Sequence, residues 1–209
     1  GQEAAPAALV HTFTLGATMT DGNSDTRMAN ASWLTEGVRE GLGSVRLGVE
    51  GNYGESRDSA GAMDTTVENV KAFLNVKKTL SALTFTYVDA TYLFDDIALV
   101  DYRFTLGPGL GAYLVKREAT QVSVDVGPSY VWEEVDGDRD EYLALRVAQR
   151  AEHKFATGAR IWESVEYLPS TEAFSEYLLT SEAGVEAPIS AKLNVRLVVQ
   201  NKYDSEPAP

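Results

Sequence analysis

The sequence predicts an all-β chain, an antiparallel up-and-down transmembrane β-barrel of about eleven strands. Three observations carry this. Apolar and polar residues alternate with period two through most of the chain. Turn residues interrupt the alternation roughly every 20 residues and leave segments of about a dozen residues, long for globular strands but suited to strands tilted across a bilayer. Aromatic side chains of the apolar face gather at one end of the strands, as an interfacial girdle does.

Taken in order, residues 1–8, GQEAAPAA, read as the flexible start of a mature exported chain whose signal peptide has been removed. Residues 9–209 read as one barrel domain. A first strand ends at Met19, the loop TDGNSDT follows, and a second strand begins near Arg27. The short turn EGLGS leads into SVRLGVEGNYG, where Val45, Leu47, Val49 and Tyr53 oppose Arg46, Gly48, Glu50 and Asn52. The polar segment ESRDSAGAMD, the short turn KTLSA and the polar LFDDI bound the next strands. In VDYRFTLGPGLGAYL, Val100, Tyr102, Phe104, Leu106, Leu110 and Leu114 oppose Asp101, Arg103, Thr105, Gly107, Gly109 and Gly111. After KREAT, VSVDVGPSYVW sets Val122, Val124, Val126, Tyr130 and Trp132 against Ser123, Asp125, Gly127 and Ser129. EVDGDRDE, FATGA, LPSTEA and APISA mark the later connections, and KLNVRLVVQNK closes the pattern. Short turns thus alternate with longer polar connections, the asymmetry of periplasmic turns and extracellular loops.

A soluble ligand-binding barrel alternates too, with its apolar face inward. Aromatic height argues for the membrane type: Tyr53, Tyr102, Tyr130, Trp132, Tyr167, Tyr177 and Tyr203 fall at the outer ends of their strands. The polar face argues the same way. It carries Arg46, Glu50, Lys71, Lys77, Asp101, Arg103, Asp125, Arg146, Arg150, Glu176, Glu182, Arg196 and Lys202, and a water-filled lumen satisfies charges of both signs. A net charge of -13 argues against a nucleic-acid partner, and the absence of cysteine excludes thiolate sites. Membrane lipid and lipopolysaccharide are the expected partners, with another outer-membrane or periplasmic protein as a further one, and the expected location is the bacterial outer membrane.

No catalytic constellation stands out, so enzymatic activity is not expected. The two histidines, His11 and His153, fall in the lipid-facing phase near inner turns. The acidic pairs Glu133/Glu134 and Asp95/Asp96 read as solvated loop residues. The glycines of GPGLG lack the strand-to-helix setting of a phosphate loop and share the lumen face, where they admit close side chains or let the strand bend. Asp21, Asn23 and Asp25, and again Asp136, Asp138 and Asp140, have the spacing of calcium-loop oxygens. A full loop requires Gly at its sixth position and Glu at its twelfth. Those positions are Thr26 and Ser32 in one case, Glu141 and Val147 in the other. Neither a metal nor a cofactor is expected.

LGATMTDGNSDT, DYRFTLGPGLGAYL and the ending VQNKYDSEPAP, in that order, resemble the salt-induced outer membrane protein family, domain of unknown function number 481. The resemblance runs from about Leu9 to Pro209. It implies a Gram-negative outer-membrane barrel of unassigned activity, with no catalytic residues to carry over. In that family a segment like YDSEPAP precedes one more strand ending in an aromatic residue. An even strand count is usual for such barrels, so a closing strand is expected beyond this sequence or from another chain, giving about twelve in all. Two functions fit: a narrow polar-lumen pore, or a structural barrel whose lumen is filled by ion pairs and which binds a partner.

Overall fold

The computed structural model describes residues 9–20, 25–39, 43–57, 61–190 and 193–206. Its elements are β1 (Val10–Thr20), β2 (Thr26–Arg39), β3 (Gly43–Arg57), β4 (Met63–Thr79), β5 (Thr84–Asp95), β6 (Val100–Lys116), β7 (Thr120–Val135), β8 (Asp138–Lys154), β9 (Arg160–Pro169), β10 (Tyr177–Ser190) and β11 (Leu193–Asp204). All eleven form a single sheet in sequence order, every neighbouring pair antiparallel. The up-and-down β architecture read from the alternation is therefore the observed one. Among the described residues, β1 pairs only with β2 and β11 only with β10. The sheet curls far enough for Arg103 of β6 to bond Asp204 of β11, so these two strands face each other across the interior.

Register fixes which side chains share a face, since directly opposed residues project together. One such row runs Arg46, Asn75, Asp89, Gly107 across β3 to β6. Another runs Asp125, Ala148, Glu166, Thr180, Lys202 across β7 to β11. Both rows face the interior. The outward face is apolar and bare, with Leu110 at 60% exposure, Leu114 at 64% and Val199 at 65%.

Two features of the strand ends depart from the alternation. EVDGDRDE is not a long connection. β7 and β8 are joined by Asp136 and Gly137 alone, with φ of 52° and 80°. Two successive positive φ values make the tight hairpin that Asp-Gly favours, because its twist matches the strands on either side. Gly137→Ala is expected to lower stability by about 1–2 kcal/mol, measured by urea unfolding, since a Cβ disfavours that conformation while open space surrounds it. The second departure is a bulge in β6 between Val100 and Tyr102. It advances the register, so buried Val100 takes the inward position and Asp101 is exposed.

The ends joined by 96–99, 136–137 and 170–176 form one rim, here the upper. Those joined by 80–83, 117–119 and 155–159 form the lower. A small apolar core of Val131, Ala144 and Leu168, flanked by Tyr142 and Leu178, fills the interior beside β7 to β10. The rest of the interior is open.

Candidate functional site: a charged interior cavity

The interior wall is built on glycines that lie opposite aromatic residues. In register, Gly48 faces Phe73, Gly111 faces Phe85, Gly109 faces Tyr87 and Gly184 faces Trp162. Each ring lies against its glycine, in space that a Cβ would occupy. A glycine weakens a strand by leaving nothing to pack, and a cross-strand ring restores the lost contact. Every one of these rings also carries a cation. Arg46 stands 5.0 Å from the Phe73 centroid, Lys77 4.7 Å from Phe85, Arg146 5.0 Å from Tyr87, and Arg160 and Arg196 5.0 and 4.9 Å from Trp162. The ring quadrupole attracts the charge and its hydrocarbon stem covers the ring. The wall is therefore a repeated stack of glycine, aromatic ring and cation.

The carboxylates complete it. Arg146 of β8 binds Asp125 of β7 and Glu166 of β9, the latter at 2.7 Å, with Asp89 of β5 at 3.9 Å. Lys77 approaches the same Asp125 at 3.9 Å. Nearer the upper rim, Arg103 binds Glu133 on the adjacent strand and reaches across the interior to Asp204 at 2.9 Å. Toward the lower rim, Arg46 stands 3.8 Å from Glu36, Arg150 3.8 Å from Glu152, and Arg160 3.1 Å from Glu186. Glu182 accepts from Trp162 Nε1 at 2.7 Å and from Gln200 at 2.9 Å. Neutral side chains continue the network, with Asn52 bonded to Asn69 and Asn75 to Asp89, both at 2.9 Å.

A cavity of about 1340 Å³ follows this wall. It reaches from Ser44, Gln121 and Lys154 near the lower rim to Ile97, Leu99 and Asp204 near the upper. Ten Lys and Arg side chains and nine Asp and Glu line it, a balance of one positive charge in a chain whose net charge is -13. The charges that line the cavity thus nearly cancel. A smaller hollow of about 470 Å³ on the outward face, lined by Ile161, Val185, Leu197 and Val199, is almost wholly apolar.

Of the residues expected to line the lumen, Arg46, Glu50, Lys71, Lys77, Arg103, Asp125, Arg146, Arg150, Glu182, Arg196 and Lys202 line the cavity. Two do not. Asp101 is displaced by the β6 bulge, and Glu176 lies in the connection before β10, where its backbone carbonyl accepts from Ser170. The girdle residues lie on the outward face in two groups. Trp132 packs against Tyr130 at 4.5 Å and against Phe104 at 5.6 Å, and Tyr167, Tyr177 and Tyr203 pack in series at 5.1 and 5.7 Å. Tyr102 shares that face, opposite Glu134, and Tyr53 bonds Glu55 at 2.6 Å.

Glu133 and Glu134 are not loop residues. Both lie in β7, Glu133 inward on Arg103 and Glu134 outward on Arg139 at 2.9 Å. His11 and His153 each bond a directly opposed threonine, Thr35 and Thr120, at 2.7 Å on the outward side. No carboxylate or serine completes a catalytic set with either of them among the described residues. Asp136 sits at the hairpin tip while Asp138 and Asp140 lie along β8, so strand geometry spreads them out instead of wrapping them around a point. Asp25 binds Arg57 at 2.6 Å, and Asp21 and Asn23 lie outside the described residues, as do residues 1–8.

Asp89, Glu166, Glu133 and Asp204 were not foreseen as interior ligands, nor Phe73, Phe85, Tyr87 and Trp162 as interior rings. Counting outward from the 80–83 turn pairs Lys77 with Tyr87 and Asn75 with Asp89, which is the one sequence clue to that part of the network.

A family model described as "Protein of unknown function, DUF481" matches residues 13–209. No curated protein matches the chain.

Proposed function

The chain belongs to DUF481, and we propose that it is an outer-membrane barrel whose charged interior conducts small polar solutes. The observation that carries this reading is the continuous cavity of about 1340 Å³, lined by charges of both signs and reaching from one rim to the other. The exposed apolar outward face and the stacked aromatics near the upper rim support a bilayer location, because exposed apolar surface of this extent requires a nonaqueous neighbour. In this orientation the upper rim faces the cell exterior and lipopolysaccharide.

The chemistry of such a pore is electrostatic. Most of the charges are already ion-paired or held over rings, so they present fixed partial charges to a passing solute without reorganising. The Arg103–Asp204 bond crosses the interior and narrows it. Asp204→Ala removes that crossing tie while Arg103 keeps Glu133, and it is expected to raise unitary conductance in planar bilayers with little loss of stability. Reconstituted protein that passes no current at any salt or voltage would sink the reading.

A second reading, a structural barrel held closed by its ion pairs and binding another envelope protein, draws on the same crossing tie. Equal conductance, near zero, in the parent and in Asp204→Ala favours it. No enzymatic role is proposed.

A further inference from the structure

We propose that the lower half of the cavity is a binding site for a small oxyanion, a solute carrying a phosphate or carboxylate group. It rests on the pore reading only for the route by which the anion arrives. Three guanidinium groups, Arg46 of β3, Arg150 of β8 and Arg196 of β11, line the cavity, and Arg46 lies within reach of the repulsion of the other two. Like charges are gathered in this way at a cost, which an anionic ligand offsets.

Their own partners leave them unsatisfied. Arg46 and Arg150 have carboxylates only at 3.8 Å, beyond hydrogen-bonding distance. Among the described residues, no carboxylate lies within 4.0 Å of Arg196, which is held by the Trp162 ring. Glu182 attracts Arg46 and Arg196 through space, but its hydrogen bonds go to Trp162 and Gln200. Arg46 Nε is buried with no acceptor at all, and so is Arg160 Nε nearby. A buried donor without a partner is uncommon and costly. Guanidinium is also the group whose planar donors match a phosphate or carboxylate in pairs.

The approach is charged to suit. Lys77, Lys116, Lys154 and Arg160 stand at the lower ends of β4, β6, β8 and β9. Glu36, Glu152 and Glu186 oppose them only in part. The upper rim carries Asp95, Asp96, Asp136 and Asp138, with Glu134 paired to Arg139, so an anion reaches the trio more readily from below.

The test is thermal unfolding of the purified protein in detergent, with sodium phosphate compared against sodium chloride at matched ionic strength. Phosphate is expected to raise Tm by about 3–6 °C at ten times its half-saturating concentration. Arg46→Gln and Arg196→Gln should lose that rise, and Lys202→Gln, remote from the trio, should keep it. Arg196→Gln breaks no salt bridge, so it carries the test if Arg46→Gln fails to fold. Equal stabilisation by chloride, or a phosphate rise that survives Arg196→Gln, overturns the site. Planar-bilayer recording separates the two readings. A phosphate-specific shift without current removes the pore and leaves the site, while current without the shift does the reverse.

Discussion

Arg146→Ala is expected to cost about 3–5 kcal/mol of unfolding free energy, the largest loss from any single charge in the barrel. The Arg146 side chain is 11% exposed and its guanidinium holds three carboxylates from three strands, those of Asp125, Glu166 and Asp89. Its removal leaves Asp125, itself only 7% exposed, with Lys77 at 3.9 Å as its nearest compensation. An uncompensated buried charge loses its solvation without regaining it, which is why breaking one side of a buried pair costs more than the pair contributes. Arg146→Met separates charge from packing, because methionine retains the hydrocarbon that covers Tyr87. Arg146→Met is expected to remain strongly destabilised, and Asp125→Asn added to it should recover part of the loss. Urea unfolding followed by tryptophan fluorescence reads all three. A loss under about 1 kcal/mol for Arg146→Ala would mean that water in the cavity solvates these carboxylates on its own.

Gly109→Val is expected to prevent barrel formation or to cost at least about 3 kcal/mol. A Cβ at this position would overlap the Tyr87 ring, and Tyr87 is 2% exposed with no room to move aside. The strand cannot yield either. Pro108 beside it faces Pro128 across β6 and β7, in the stretch between the pairs Leu106–Tyr130 and Leu110–Val126. There Gly107 and Gly127 let the two backbones approach too closely for any side chain. Gly51→Ala is the control. Its nearest neighbours would lie 3.9 Å from the new Cβ, and the change is expected to stay within about 0.5 kcal/mol. Truncating the ring in Gly109→Ala/Tyr87→Ala should restore folding relative to Gly109→Ala alone. Heat-dependent gel mobility, which distinguishes folded from unfolded barrels, is the measurement. Equal behaviour of Gly109→Val and Gly51→Ala would remove the ring-on-glycine stack as a structural element.

How much of the candidate site was legible follows from particular residues. Arg46, Asp125 and Arg146 could be placed inward because each sits amid uninterrupted alternation, where a side chain's face depends only on whether its position is odd or even. Asp101 could not, since one inserted residue in β6 reverses that parity and leaves no mark in composition. Glu133 looked like a loop residue because the acidic run around it hid a two-residue turn. Nothing in the segment around Phe85 and Tyr87 marks them as interior rings. Only the glycines opposite them on β6 make room inside.

By itself the sequence determined the class of fold, the number of strands, most of the lining cations and the aromatic face. These are local properties, set by side-chain period and turn chemistry along one strand at a time. The tertiary structure alone decided which charges meet. Arg103 and Asp204 lie 101 positions apart and bond only because the sheet curls until β6 faces β11. Arg46, Arg150 and Arg196, on β3, β8 and β11, line one cavity for the same reason. Curvature accumulates from the twist of every strand pair, so no single segment of the sequence encodes it.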